Sequence, residues 1–152
     1  MASSDNVVRA GFTPKFQDLP TLTTMLTYSY AAISEQKMHP VEYPYVTLNS
    51  TAYSSNSSAL LYDPPIEEFS VVRTELMKRG AKATFEAIEG PSLFICTSGH
   101  GNITVGPKAE EVKEGYVFFV GASAEAVVES TSDAFTTFKA FCELKSKEPR
   151  NG

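Results

Sequence analysis

Leu93-Phe94-Ile95-Cys96-Thr97-Ser98-Gly99-His100-Gly101-Asn102-Ile103-Thr104-Val105 places two apolar, β-branched runs on either side of a Ser-Gly-His-Gly step. Residues of that kind fit the pleated, half-buried surface of a strand. Two glycines supply the positive φ of a tight turn, so the stretch predicts a hairpin with His100 in its turn. The same grammar recurs outward from it. Phe69 to Leu76 alternates after a Pro64-Pro65 corner, and Ala83 to Ile88 follows the Arg79-Gly80 turn. Val112-Lys113-Glu114-Gly115 turns into Tyr116 to Val120, whose nearly continuous apolar character predicts a core strand. Gly121 to Ala124 leads into Ala126 to Ser130, and Phe135 to Cys142 closes the set with Phe135, Phe138 and Phe141 as anchors. Strands at about 8–12-residue intervals with turn signals between them predict a mainly β domain over residues 59–145, a sandwich or barrel.

Upstream the pattern changes. Asp18-Leu19-Pro20-Thr21-Leu22-Thr23-Thr24-Met25-Leu26 predicts a short helix, with Asp18 as cap, Pro20 in the first turn and Leu19, Leu22, Met25 and Leu26 on one face. Its threonines are weak helix formers, so it is expected to need a docking surface. Residues 31–58 show no periodicity: Pro40 and Pro44 interrupt, Val41 to Leu48 predicts one extended edge segment, and Asn49 to Ser58 is Ser-rich. This reads as a linker or surface excursion. Residues 146–152 read as a charged, disordered tail.

Composition excludes several function classes. The 152 residues carry a net charge of −5 with no basic cluster, which argues against nucleic-acid binding. No apolar run approaches the ~18 residues of a spanning helix, and the first residues lack the apolar core of a signal peptide. In that setting Cys96 and Cys142 are expected as free thiols. The triplets at Asn49, Asn56 and Asn102 are expected to go unglycosylated.

Chemistry concentrates at the N-terminal end. Val7 to Arg9 predicts a short strand, broken by Gly11 and ended by Pro14. Arg9 and Lys15 flank the break and Asp5 precedes it. Fixed cations on an acidic chain suit a phosphate or a developing oxyanion, and they equally suit an ordinary solvated surface. In the β region His100 stands alone and His39 lies in a proline-broken loop, so no metal is expected there. Glu67-Glu68 and Glu110-Glu111 are adjacent pairs that in strands point to opposite faces, so they cannot form an acid–base dyad.

Met1-Ala2-Ser3-Ser4-Asp5-Asn6-Val7-Val8-Arg9-Ala10-Gly11-Phe12-Thr13-Pro14-Lys15 resembles the downstream half of the second signature of the type I, zinc-dependent phosphomannose isomerases. Leu61-Tyr62-Asp63-Pro64-Pro65 with Phe69-Ser70-Val71, and Gly115-Tyr116-Val117-Phe118-Phe119-Val120, are similar to later family segments, most of all in fungal members. The resemblance implies that the chain is a C-terminal portion of such an enzyme. Residues 1–30 would be the tail end of the catalytic domain and residues 59–145 a cupin-like jelly roll. It implies interconversion of mannose 6-phosphate and fructose 6-phosphate in the cytoplasm. Arg9 would act at the active centre and Lys15 would hold substrate, with Asp5 and Asn6 in support. Zinc would be held by residues upstream of Met1, so the isolated chain is expected to be inactive without the N-terminal part. A stand-alone, non-catalytic cupin-like binding module is the alternative, and a lectin-like sandwich a third.

Overall fold

Every strand pair in the computed structural model is antiparallel, and the strands form two sheets. The structure describes residues 8–9, 11–12, 14–28, 30–49, 56–66 and 68–142. It divides into two units, Met1–Lys37 and Met38–Gly152. The first contains the helices α1 (Leu19–Met25) and α2 (Ile33–Gln36). The second contains β1 (Val41–Glu42), β2 (Val46–Leu48), β3 (Ser58–Tyr62), β4 (Ser70–Leu76), β5 (Lys82–Phe85), β6 (Ser92–Ser98), β7 (His100–Val105), β8 (Lys108–Lys113), β9 (Val117–Val120), β10 (Ala126–Ser130) and β11 (Phe135–Phe141).

One sheet runs β1-β3-β4-β11-β6-β9 and the other β2-β5-β10-β7-β8. The mainly β, jelly-roll expectation therefore holds, but the central stretch is not a hairpin. β6 lies in the first sheet and β7 in the second, so the chain turns a corner between layers at Gly99. Gly99 has φ +78°, and a Cβ there would overlap the Ala134 carbonyl. At Gly101 a Cβ would meet the Glu129 carbonyl and the Phe135 ring. Ser132 braces the corner: its hydroxyl oxygen accepts from the His100 N–H, and its one hydrogen has the Ala134 carbonyl at 2.7 Å and the His100 carbonyl at 3.0 Å within reach. The chain crosses between sheets at most of its later turns. Its hairpins are β3–β4 and β7–β8, the latter turning on Gly106-Pro107.

Between the sheets, inward residues alternate with outward ones. Val72, Leu76, Phe94 and Phe135 from one layer pack with Ala83, Phe85, Ile103 and Val128 from the other, and the Phe85 and Phe94 rings meet edge-on at 5.2 Å. In β11 the inward register contains a lysine. Lys139 is 2% exposed, with Nζ 4.9 Å from the Phe85 ring centre, 5.3 Å from Phe141 and 5.7 Å from Phe94.

Other sequence expectations need correction. The excursion over 31–58 is partly built into the fold: Val41–Glu42 pairs with β3 and Val46–Leu48 with β5. Tyr43, 3% exposed and against Phe141, anchors the crossing between them. The single extended edge segment expected over Val41 to Leu48 is thus two short edge strands, one at the edge of each sheet. Asn49 joins them: its side-chain carbonyl accepts from Lys82 N–H at 2.8 Å and its amide donates to the Gly80 carbonyl at 2.9 Å. β8 was unanticipated because five of its six residues are exposed and four are charged. Val117–Val120, expected as a core strand, is an edge strand in which only Val120 is buried. Apolar composition does not tell a covered face from an uncovered one. Residues 143–152, with the predicted tail, lie outside the described residues. No helix among the described residues is long and apolar enough to cross a membrane.

Candidate functional site

Arg9 and Lys15 both fall in the Met1–Lys37 unit, Arg9 half-buried and Lys15 exposed. Asp5, Asn6 and Val7 lie outside the described residues. Val8 and Arg9 are in no strand, which corrects the strand expected over Val7 to Arg9; a strand needs a paired neighbour, and no ladder includes these two. Among the described residues of the bend between the cations, Phe12 is left-handed, with φ +52°. An aromatic side chain in that conformation costs on the order of 1–2 kcal/mol.

The helix after this bend is α1, as the sequence predicts. Asp18 caps it: its carboxylate accepts from Thr21 N–H at 3.1 Å and from Thr21 Oγ1 at 2.7 Å. Pro20 occupies the first turn, where a missing N–H is harmless. The Thr21 hydroxyl and then its N–H favour the charged carboxylate and hold Asp18 below its ordinary value. A depressed folded-state value means the cap's stabilisation is present above the unfolded value of 3.8 and is lost as pH falls through the lower folded one. The expected result is that the helical carbon chemical shifts of Thr21 to Met25 hold through neutral pH and move towards coil values only as pH falls below 3.8. Asp18→Asn, which still caps, should flatten the response.

α1 buries none of its residues. Leu19, Met25 and Leu26 are exposed, as are Phe12, Phe16, Tyr28, Tyr30 and Ile33. The docking surface that the sequence said this helix needs is not supplied within the described part of its own unit.

The β unit offers little competing chemistry. His39 and His100 are exposed. No group of three or more His, Cys, Asp or Glu able to hold a metal occurs among the described residues. Where a metal-binding barrel would aim histidines inward, the described interior presents the Lys139 ammonium and phenylalanine rings, so its donor set does not fit zinc. Neither Cys96 nor Cys142 forms a disulfide. Burial pushes the Cys96 thiol above its usual value, which makes it a poor nucleophile. Glu110 and Glu111 are exposed on β8, and Glu111 pairs with Lys113 at 3.1 Å. Sequence reasoning missed Lys139, although counting by twos from Phe135 places it inward.

The fold resembles known cupins. A cupin-2 domain from Rhodospirillum rubrum superposes with a TM-score of 0.52 at 14% identity, covering 72% of this chain and 80% of that one. The cupin domain of Schizosaccharomyces pombe Cnp3 gives 0.51 at 14% identity, covering 62% and 69%. The family profile described as phosphomannose isomerase type I C-terminal matches residues 59–108. Mannose-6-phosphate isomerase from Aspergillus fumigatus is 71% identical over 97% of this chain, and that from Saccharomyces cerevisiae 42% identical over 94%. This chain matches the C-terminal part of type I phosphomannose isomerases. It spans about a third of the length of those relatives, 33% and 32% respectively. The family match covers β3 through the start of β8. Its Leu61-to-Val71 segment is the β3–β4 hairpin, whose loop is closed by Ser70 Oγ donating to Asp63 at 2.6 Å.

Proposed function

We propose that this chain is the C-terminal portion of an enzyme that interconverts mannose 6-phosphate and fructose 6-phosphate, and that Arg9 and Lys15 belong to its active centre. The observation that carries this reading is the 71% identity to the Aspergillus fumigatus mannose-6-phosphate isomerase, which extends through nearly the whole chain. In an aldose–ketose isomerisation the difficult step is removal of the C2 proton. Negative charge then builds on the neighbouring oxygen as a cis-enediol forms. The Arg9 guanidinium keeps its charge at any physiological pH and presents a rigid fork of donors. Placed beside that oxygen, its stabilisation grows as the charge grows, which is the kind of interaction that raises turnover. Lys15 suits the substrate phosphate as a point charge. Asp5 and Asn6 take supporting roles.

Zinc is part of this proposal only through polypeptide outside this chain, because no cluster among the described residues matches its ligand set. The setting is the cytoplasm, where Cys96 and Cys142 stay reduced. The isolated chain is therefore expected to show no isomerase activity in a coupled assay, with or without added zinc. Joining it in one polypeptide to the remaining upstream two-thirds of the Aspergillus fumigatus relative is expected to restore turnover. Robust activity of the isolated chain, or none in a folded joined polypeptide, would overturn the reading and favour a stand-alone cupin-like binding module.

A further inference from the structure

Each sheet carries an ion pair on its outer face, Lys82–Glu129 at 3.1 Å on the five-stranded sheet and Arg73–Glu75 at 3.2 Å on the six-stranded one. Around the first, Thr84, Asn102 and Thr104 accompany a single half-buried apolar residue, Val127. On the six-stranded sheet the strand register sets Phe138, Ile95 and Val117 in one row and Ala140, Leu93 and Phe119 in the next. Of these, Leu93 is 49% exposed, Ile95 39%, Val117 59% and Phe119 71%. An open groove of about 230 Å³, with Phe69, Pro91, Leu93, Phe119 and Ala140 in its walls, continues the patch at one end. A one-sided antiparallel sheet normally turns polar residues outward, and contiguous apolar surface of this kind marks an interface.

The sheet edge beside the patch points the same way. Edge strands are normally guarded by charge, and β8, at the edge of the other sheet, carries Lys108, Glu110, Glu111 and Lys113. β9 is an edge strand as well, yet its Val-Phe-Phe-Val has no charge and no proline.

We propose that this apolar face and the β9 edge form a docking surface, and that its occupant is the rest of the isomerase polypeptide. This rests on the family reading above. The occupant follows from length: in the Aspergillus fumigatus and Saccharomyces cerevisiae relatives the matched region is accompanied by about twice as much chain, joined covalently and so always present at high effective concentration. A partner so tethered allows an uncharged edge to persist without aggregating. The groove is of a size to take one or two large apolar side chains from that partner.

Hydrogen exchange on the isolated chain and on the joined polypeptide tests this. Amides of Val117 to Val120 that face away from β6 are expected to exchange at least about tenfold more slowly in the joined form. Phe119→Asp should lower the melting temperature of the joined polypeptide by several degrees and leave that of the isolated chain nearly unchanged. A Thr84→Asp control on the polar face should show no such difference. Equal exchange in both forms, or equal effects of Phe119→Asp on both, would overturn the proposal. Protection that appears in the isolated chain as its concentration rises would overturn it too, in favour of a second copy. Activity separates the two readings. An inactive joined polypeptide with a protected β9 sinks the isomerase reading alone, and an active one with an exposed β9 sinks the docking surface alone.

Discussion

Gly101→Val is expected to prevent folding. Gly101 is buried at the start of β7, opposite Ser130 and Val112, and its α-carbon lies against the Glu129 carbonyl and the Phe135 ring. A Cβ there would sit 2.8–2.9 Å from two atoms of that ring. Neither neighbour can yield cheaply: one is backbone inside a ladder, the other is a core side chain 1% exposed. Overpacking in a rigid site typically costs about 1–3 kcal/mol, more when backbone must move. Two branched methyls added to an existing overlap should exceed about 5 kcal/mol, the lower end of an ordinary domain's whole stability. Gly106→Ala is the control. Nothing lies near that position, so only its φ of +56° opposes a side chain, and the loss should be about 1 kcal/mol. Urea denaturation of the two variants checks this, and a cooperatively folded Gly101→Val protein would mean that the corner is packed differently.

Arg9→Ala in the joined polypeptide is expected to lower kcat at least about a hundredfold, from a loss of about 3–4 kcal/mol of transition-state stabilisation. KM should change little, because the interaction strengthens only as charge develops on the substrate oxygen. Arg9→Lys should recover part of the rate, since it restores charge without the planar fork. A variant with wild-type kcat and a raised KM would assign Arg9 to ground-state binding instead, the role proposed for Lys15.

What the sequence revealed of this fold follows from what each signal measures. Period-two alternation reports burial on one side, so β4 stood out, whereas β6, β10 and β11 were legible as apolar runs between turns. Phe138, expected as an anchor with Phe135 and Phe141, faces outward, because inward positions of β11 recur every two residues and not every three. Turn chemistry reports only that the chain bends. Ser98-Gly99-His100-Gly101 bends as strongly as a hairpin, but the pairing of β6 with β11 and of β7 with β10 is decided by contacts distant in sequence. β1 and β2 are too short to show periodicity, and β8 hides its single buried residue, Val112, among charges. The apolar run at Tyr116 to Val120 was legible as a strand, whereas its exposure was not, because hydrophobicity records a preference for burial and not its fulfilment. For the candidate site the sequence did more. Asp18, Pro20 and the helix face were readable locally, and the cations were nameable through resemblance. The left-handed Phe12 had no signal, since Gly11 beside it is the residue that such a conformation favours.

The most direct test of the central claim follows the C2 hydrogen of mannose 6-phosphate in D2O by proton NMR, comparing the joined polypeptide with its Arg9→Ala variant. Wild type is predicted to exchange that hydrogen for deuterium during turnover, and the variant to do so at least about a hundredfold more slowly while remaining folded. Equal exchange rates in the two would contradict the claim that this chain contributes Arg9 to the proton-transfer step.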